Sequence, residues 1–190
     1  MPAICYIHGF NSAPASFKAR LLRERLTRLG KSADFCVPAL PHRPAAAIET
    51  LEREIRQLQA PVTLVGSSLG GYYATWLAER HGLKAVLVNP AVDAPRLLAG
   101  YLGRQRNLYT GEEYLLTQAH LDELAALEVP AITRPERYLL LVATGDEVLD
   151  YRRAMEKYAR ARQIVVEGSD HGFSDFGDYL DEVLAFAELL

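Results

Sequence analysis

The sequence predicts an α/β protein built on a mostly parallel β-sheet with helices on both faces. Short runs rich in β-branched and aromatic residues alternate with segments of helical hydrophobic periodicity along the chain. Most of these runs are apolar without strict alternation, which is typical of strands covered on both sides. The chain's 190 residues suffice for one compact core and are short for two. We therefore expect residues 1–190 to form a single domain.

Six strands and five long helices are expected along the chain. The strands fall at residues 3–7, 34–37, 62–65, 85–88, 138–143 and 163–166. The helices fall at residues 16–29, 45–58, 69–81, 150–160 and 175–190. The first helix carries its apolar residues at helical spacing, and we expect its lysine and arginines to form a solvated opposite face.

Residues 89–134 separate two strands that one helix could have joined. Three clusters in this segment favour two or three short helices: Leu97, Leu98, Tyr101 and Leu102; Tyr114, Leu115 and Leu116; Leu121, Leu124 and Leu127. Long connecting segments between strands often cover functional sites. We predict that residues 91–134 form a short helical lid inserted in the same domain.

The charge, the lengths of the apolar runs and the cysteine content argue against nucleic-acid-binding, membrane-spanning and disulfide-rich proteins. The net charge of -3 supplies no excess of positive charge for a nucleic acid or an anionic membrane, so neither is an expected partner. The longest unbroken apolar run, residues 138–143, is far shorter than the roughly 20 residues of a membrane helix. Cys5 and Cys36 lie in β-like surroundings typical of reduced thiols, with a bridge between them as the alternative. We expect a cytoplasmic protein.

The stretch TLVGSSLGGYYA, residues 63–74, joins a predicted strand to a predicted helix through two serines and flanking glycines. A sharp strand-to-helix turn exposes a nucleophilic serine, and crowding there admits only small residues two positions before and after it. Gly66 and Gly70 provide this frame around Ser68. A frame centred on Ser67 would place a valine and a leucine in the crowded positions. The pattern therefore predicts Ser68 as the nucleophile.

A nucleophilic serine needs a histidine base, and that base needs an acid to orient it. His171 follows the last predicted strand, where its loop emerges beside the other strand ends. The remaining histidines occupy positions that suit turns, helix caps or solvent; they are His8, His42, His81 and His120.

Asp146 directly follows a buried strand and is the predicted acid. Glu147 and Asp150 remain rivals by proximity, although Asp150 also suits the N-cap of the next helix. The chain order Ser68, Asp146, His171 matches that of α/β-hydrolases.

Backbone groups are expected to bind the oxyanion of the tetrahedral intermediate. The N–H after the nucleophile belongs to Leu69, and the loop leaving the first strand offers that of Phe10, just after a glycine. Three side chains are candidates for substrate contact: Tyr72, Asn89 and Arg104. Arg104 and its neighbouring arginines either meet a phosphate or carboxylate of the substrate or simply face solvent.

Five sequence segments distributed along the chain are typical of one protein family: YIHGFNSAPASFKA, GSSLGGYYATWLAE, VNPAV, TGDEVLDY and GSDHGF. In these blocks the chain resembles the YqiA-type esterases, a family of small bacterial proteins with the α/β-hydrolase fold. The resemblance implies a six-stranded sheet of order 2-1-3-4-5-6. It also implies a serine esterase or thioesterase acting on small acyl esters and on acyl-coenzyme A through an acyl-enzyme on Ser68, with neither metal nor cofactor. A non-catalytic binding protein of this fold, and a peptidase or lactonase with the same triad, are the alternatives.

Overall fold

The computed structural model describes residues 1–190 and contains eight strands. They are β1 (Ala3–Ile7), β2 (Phe35–Cys36), β3 (Val62–Ser67), β4 (Lys84–Val88), β5 (Gly103–Arg106), β6 (Glu113–Leu116), β7 (Tyr138–Ala143) and β8 (Arg162–Val166). The main sheet has the order β2-β1-β3-β4-β7-β8, and every neighbouring pair in it is parallel. Strands β5 and β6 form a separate antiparallel pair. The six predicted strands are therefore present and keep the predicted order.

Seven α-helices accompany these strands. They are α1 (Phe17–Arg28), α2 (Pro44–Gln57), α3 (Leu69–His81), α4 (Ala94–Ala99), α5 (Gln118–Ala125), α6 (Tyr151–Lys157) and α7 (Leu180–Phe186). The predicted last helix begins instead as a 3₁₀ segment, Ser174–Tyr179. Helix α3 stops at Gly82, which adopts the left-handed conformation that favours glycine. The longest helix has 14 residues, and none has the length and apolar character needed to cross a membrane.

The main sheet is buried on both faces, which explains why its strands show no polar alternation. In β1, Ile4 and Tyr6 point to one face and Cys5 and Ile7 to the other, and all four are buried. The first face packs against α1 and α7, and the second against α2, α3 and α6. Parallel strands covered in this way direct their carboxyl ends to one exposed edge, where loops can carry function.

The 91–134 segment differs from the expected set of short helices. Only part of its first and last clusters is helical, with Leu97 and Leu98 in α4 and Leu121 and Leu124 in α5, and the middle cluster, Tyr114–Leu116, lies in β6. The turn before β6 explains the difference. Asn107 Oδ1 accepts hydrogen bonds from the N–H groups of Tyr109 and Thr110, and Gly111 has φ +74°. These features fold the chain back into a hairpin.

Candidate active site

The corner between β3 and α3 exposes Ser68 at the carboxyl edge of the sheet. Ser68 has φ +55° and ψ -119°, a strained conformation for a residue with a side chain. A Cβ on Gly66 would lie 2.3 Å from the Gly70 carbonyl oxygen, and one on Gly70 would lie 2.0 Å from the Ile7 carbonyl oxygen. The backbone at this corner therefore has room only for glycine at both flanking positions, as the sequence pattern predicts.

Ser68, His171 and Asp146 form one continuous hydrogen-bonded line. His171 Nε2 lies 3.1 Å from Ser68 Oγ, and His171 Nδ1 lies 2.9 Å from Asp146 Oδ2 and 3.0 Å from Oδ1. The three side chains come from the loops that follow β3, β7 and β8, all at the same edge of the sheet. The structure thus brings together the three residues proposed from sequence.

The surroundings of Asp146 favour its ionised form. Burial, which leaves its side chain 1% exposed, would by itself raise its pKa. Hydrogen bonds from His171 and from the N–H groups of Leu149 and Val148 outweigh that effect, so the pKa of Asp146 is lowered overall. An ionised Asp146 accepts a hydrogen bond from the Nδ1–H of His171. The other ring nitrogen, Nε2, then carries no proton and can accept a hydrogen bond from the Ser68 hydroxyl.

The two rival acids have different partners. Glu147 Oε2 accepts a hydrogen bond from the backbone N–H of His171 at 2.9 Å and so holds the loop rather than the ring. Asp150 caps α6 by accepting a bond from the N–H of Arg152. Of the three candidate acids, only Asp146 forms a hydrogen bond with the imidazole of His171.

The other histidines have partners outside this line. His8 is buried and accepts a bond from the N–H of Leu40, His42 stacks on Tyr114, His81 bonds Glu52, and His120 caps α5 together with Thr117. His42 and His81 are exposed and His120 caps a helix, as expected from the sequence, whereas the side chains of His8 and His120 are both buried.

Two cavities open on Ser68, and both are also lined by Phe10 and His171. The apolar cavity, of about 240 Å³, has nine hydrophobic residues among its eleven lining residues, including Leu97 and Leu98 of the 91–134 segment. The second cavity, of about 370 Å³, is called the polar cavity because most of its lining residues are polar or glycine, although apolar atoms form most of its wall. The two cavities beside Ser68 thus differ in their lining residues, and only the polar cavity includes a lysine and an aspartate.

The predicted oxyanion donors flank the serine. Phe10 and Leu69 both line the apolar cavity next to Ser68. A Cβ on Gly9 would lie 3.2 Å from the Cβ of Ser68, so the absence of a side chain there lets this loop approach Ser68. Both backbone segments therefore lie beside the Ser68 side chain.

None of the three residues suggested for substrate contact lines either cavity beside Ser68. Tyr72 is buried and donates from its hydroxyl to the Leu124 carbonyl at 2.8 Å, outside both cavities. Arg104 lines a separate surface cavity beside the hairpin, which does not include Ser68. The sequence-based interpretation of these two residues is therefore corrected, because one is part of the core and the other extends from the outer strand β5.

Asn89 is also corrected, because it supports the histidine loop instead of lining a cavity. Its Nδ2 donates to the carbonyls of Asp170 and His171 at 2.9 and 3.1 Å, and its Oδ1 accepts from the N–H of Ala143. The side chain is 2% exposed. Asn89 thus ties the end of β7 to the loop that carries the histidine.

Sequence reasoning missed Lys18, which was expected on the solvated face of the first helix. The structure buries it, 8% exposed, on the same stripe as Leu22 and Leu26. The i, i+4, i+8 spacing of these three residues was the available signal, since residues four apart share one helix face.

The sheet order, the strand-to-helix corner and the position of Ser68 place this chain in the α/β-hydrolase fold class. Solved structures show the same fold. A protein from Agrobacterium vitis S4 is 18% identical with a TM-score of 0.80, covering 98% of this chain and 88% of that one. Alpha/beta hydrolase domain-containing protein 10 from mouse is 17% identical with a TM-score of 0.75, covering 97% and 90%. Monoacylglycerol lipase from Paleococcus ferrophilus is 16% identical with a TM-score of 0.66, covering 96% and 94%.

Within this fold class, the chain belongs to the family described as "Uncharacterised protein family (UPF0227)", whose model matches residues 3–188. UPF0227 proteins from Vibrio vulnificus strains CMCP6 and YJ016 are each 22% identical over 190 residues, covering 97% of this chain and 98% of theirs. The family is the YqiA-like one, so the prediction made from the sequence blocks is confirmed.

Proposed function

We propose that the protein is a serine hydrolase that cleaves carboxylic ester or thioester bonds of small acyl substrates. The observation that carries the proposal is the hydrogen-bonded line from Ser68 Oγ through His171 to Asp146. This geometry supplies an exposed nucleophile, a base within reach of its proton and an anion behind the base.

In the proposed acylation step, Ser68 Oγ attacks the carbonyl carbon of the substrate while His171 Nε2 takes the hydroxyl proton. The imidazolium that forms is stabilised by ionised Asp146. The oxyanion accepts hydrogen bonds from the N–H groups of Phe10 and Leu69, and the loss of one such donor typically costs about 3 to 4 kcal/mol of transition-state stabilisation.

Collapse of the tetrahedral intermediate expels the alcohol or thiol, which receives its proton from His171, and leaves an acyl-enzyme on Ser68. Water then attacks the acyl-enzyme, with the neutral His171 acting again as the base, and the acid is released. The apolar cavity suits the acyl chain, because its hydrophobic walls begin next to the nucleophile.

The chain-length dependence of ester hydrolysis tests this proposal. Each methylene buried in the apolar cavity contributes about 0.8 kcal/mol, so kcat/KM should rise about fourfold per methylene from p-nitrophenyl acetate to p-nitrophenyl butyrate. Leu97→Ala should weaken this dependence, because Leu97 lines the cavity. Leu102→Ala is the matched control, since Leu102 is exposed and lies outside the cavity.

Thiol release from butyryl-coenzyme A measures the thioester part of the proposal in the same preparation. A protein that hydrolyses none of these esters or thioesters contradicts the proposed function. A rate independent of chain length contradicts the assignment of the apolar cavity to the acyl group.

A further inference from the structure

Lys18 lies in the first turn of α1 and lines the polar cavity that opens on Ser68 and His171. Its residue surface is 8% exposed. Its Nζ donates a hydrogen bond to the carbonyl of Gly172, the residue after His171. A buried ammonium group therefore lies at the wall of the compartment that the acyl chain does not occupy.

The charge of Lys18 lacks a close counter-ion. An ammonium group has three N–H donors, and the carbonyl of Gly172 is its one hydrogen-bond acceptor in the structure. No carboxylate lies within 4.0 Å of its Nζ. Burial lowers the pKa of Lys18 to about 8, against the attraction of Asp170 and Asp146, which raises it. Burying a charge without a partner is unfavourable, so the group is poised to gain an anion.

Ser16 lies two residues before Lys18 and also lines the polar cavity, but its hydroxyl is not open to it. The Ser16 Oγ is enclosed and lies near the buried Tyr6 hydroxyl. Lys18 Nζ has three donors and one acceptor, so it is the group in this wall that a ligand with further acceptors would satisfy.

We propose that Lys18 binds an anionic group on the alcohol or thiol half of the substrate. This inference rests on the proposed function, because it divides the substrate at Ser68: the acyl half enters the apolar cavity and the leaving half enters the polar one. A carboxylate or a phosphate meets the requirement, since each offers several acceptors to an ammonium. The substrate class is an acyl ester or thioester whose leaving group carries negative charge.

Two matched esters test the inference: the butyrates of 2-nitrophenol and of 3-hydroxy-4-nitrobenzoic acid, which differ by one carboxylate on the leaving group. The native protein should have the higher kcat/KM for the carboxylate ester. Lys18→Met should lower this preference, the ratio of the two kcat/KM values, by about 10- to 100-fold, as expected for a lost charge-assisted hydrogen bond. Arg20→Met is the control, because Arg20 is exposed on the same helix and the variant removes the same charge. It should leave the ratio unchanged.

The native protein provides a second measurement that does not depend on the folding of a variant. The other charged or titratable groups near Lys18 are Asp146, Asp170, His171, Tyr6 and Tyr109. Any change in the activity of Ser68 itself affects both esters alike and cancels in the ratio. Because the ammonium is present below its pKa and lost above it, the preference for the carboxylate ester should fall as the pH rises through about 8.

The butyrate ester of 3-hydroxy-4-nitrophenyl phosphate tests the phosphate alternative in the same way, because its leaving group carries a phosphate where the other compound carries the carboxylate. An unchanged ratio in Lys18→Met, together with a ratio that does not vary with pH in the native protein, overturns the inference while leaving the proposed function intact. If the native protein hydrolyses neither ester and its serine reacts with no fluorophosphonate, both the inference and the proposed function are wrong.

Discussion

Replacing Ser68 by alanine is expected to lower kcat for ester hydrolysis by about a million-fold, the size of effect that removal of a triad serine produces. The variant removes the oxygen that, in the proposed mechanism, attacks the carbonyl and forms the acyl-enzyme. It retains a Cβ, so the strained backbone at φ +55° meets the same contacts as in the native protein. Steady-state hydrolysis of p-nitrophenyl butyrate measures the effect.

Ser67→Ala is the matched control for Ser68→Ala. Ser67 is the neighbouring serine, ends strand β3 and makes no hydrogen bond with His171. Its loss should leave kcat within a few-fold of the native value. A Ser68→Ala variant that folds as shown by circular dichroism and still hydrolyses the ester at the native rate contradicts the assignment of the nucleophile.

Replacing Asp146 by asparagine is expected to lower kcat by about ten-thousand-fold at neutral pH. The carboxylate holds the proton on Nδ1 of His171, which leaves Nε2 free to accept the serine proton. An asparagine amide turned towards Nδ1 as a donor favours the opposite tautomer and also loses the charge that stabilises the imidazolium. The kcat measured against pH for both proteins shows whether the loss extends across the neutral range.

Asp150→Asn is the control for this second variant. Asp150 is the N-cap of α6, and asparagine caps helices about as well as aspartate, so folding and kcat should stay close to native. Equal losses in Asp150→Asn and Asp146→Asn would contradict the role assigned to Asp146, because only one of the two carboxylates contacts His171.

The fold was largely predictable because its strands are buried on both faces and its helices have strong apolar periodicity. Helix α3 occupies the predicted residues, since Gly82 gives it a clear end. Strands β5 and β6 were not predicted. Each has four residues, and short clusters such as Tyr114–Leu116 do not distinguish a strand from a helical turn by periodicity. Their structure depends on pairing with each other.

The candidate catalytic residues were predictable because the carboxyl ends of parallel strands meet at one edge. Residues that follow β3, β7 and β8 converge there whatever the length of chain between them. Substrate contacts depend instead on which side chain points into a cavity, and sequence alone did not give that direction. Tyr72 points into the core, Arg104 lies on the hairpin and Lys18 points inward from a helix that looked basic and solvated.

The central claim is that Ser68 is an activated nucleophile held in line with His171 and Asp146. Treatment of the native protein with a fluorophosphonate, followed by mass spectrometry of its peptides, tests this claim most directly, because only an activated serine reacts. The account predicts an adduct on Ser68 that is absent from Ser68→Ala and present in Ser67→Ala. A native protein that remains unlabelled, as expected for a non-catalytic binding protein, or that carries the adduct on another residue, would contradict it.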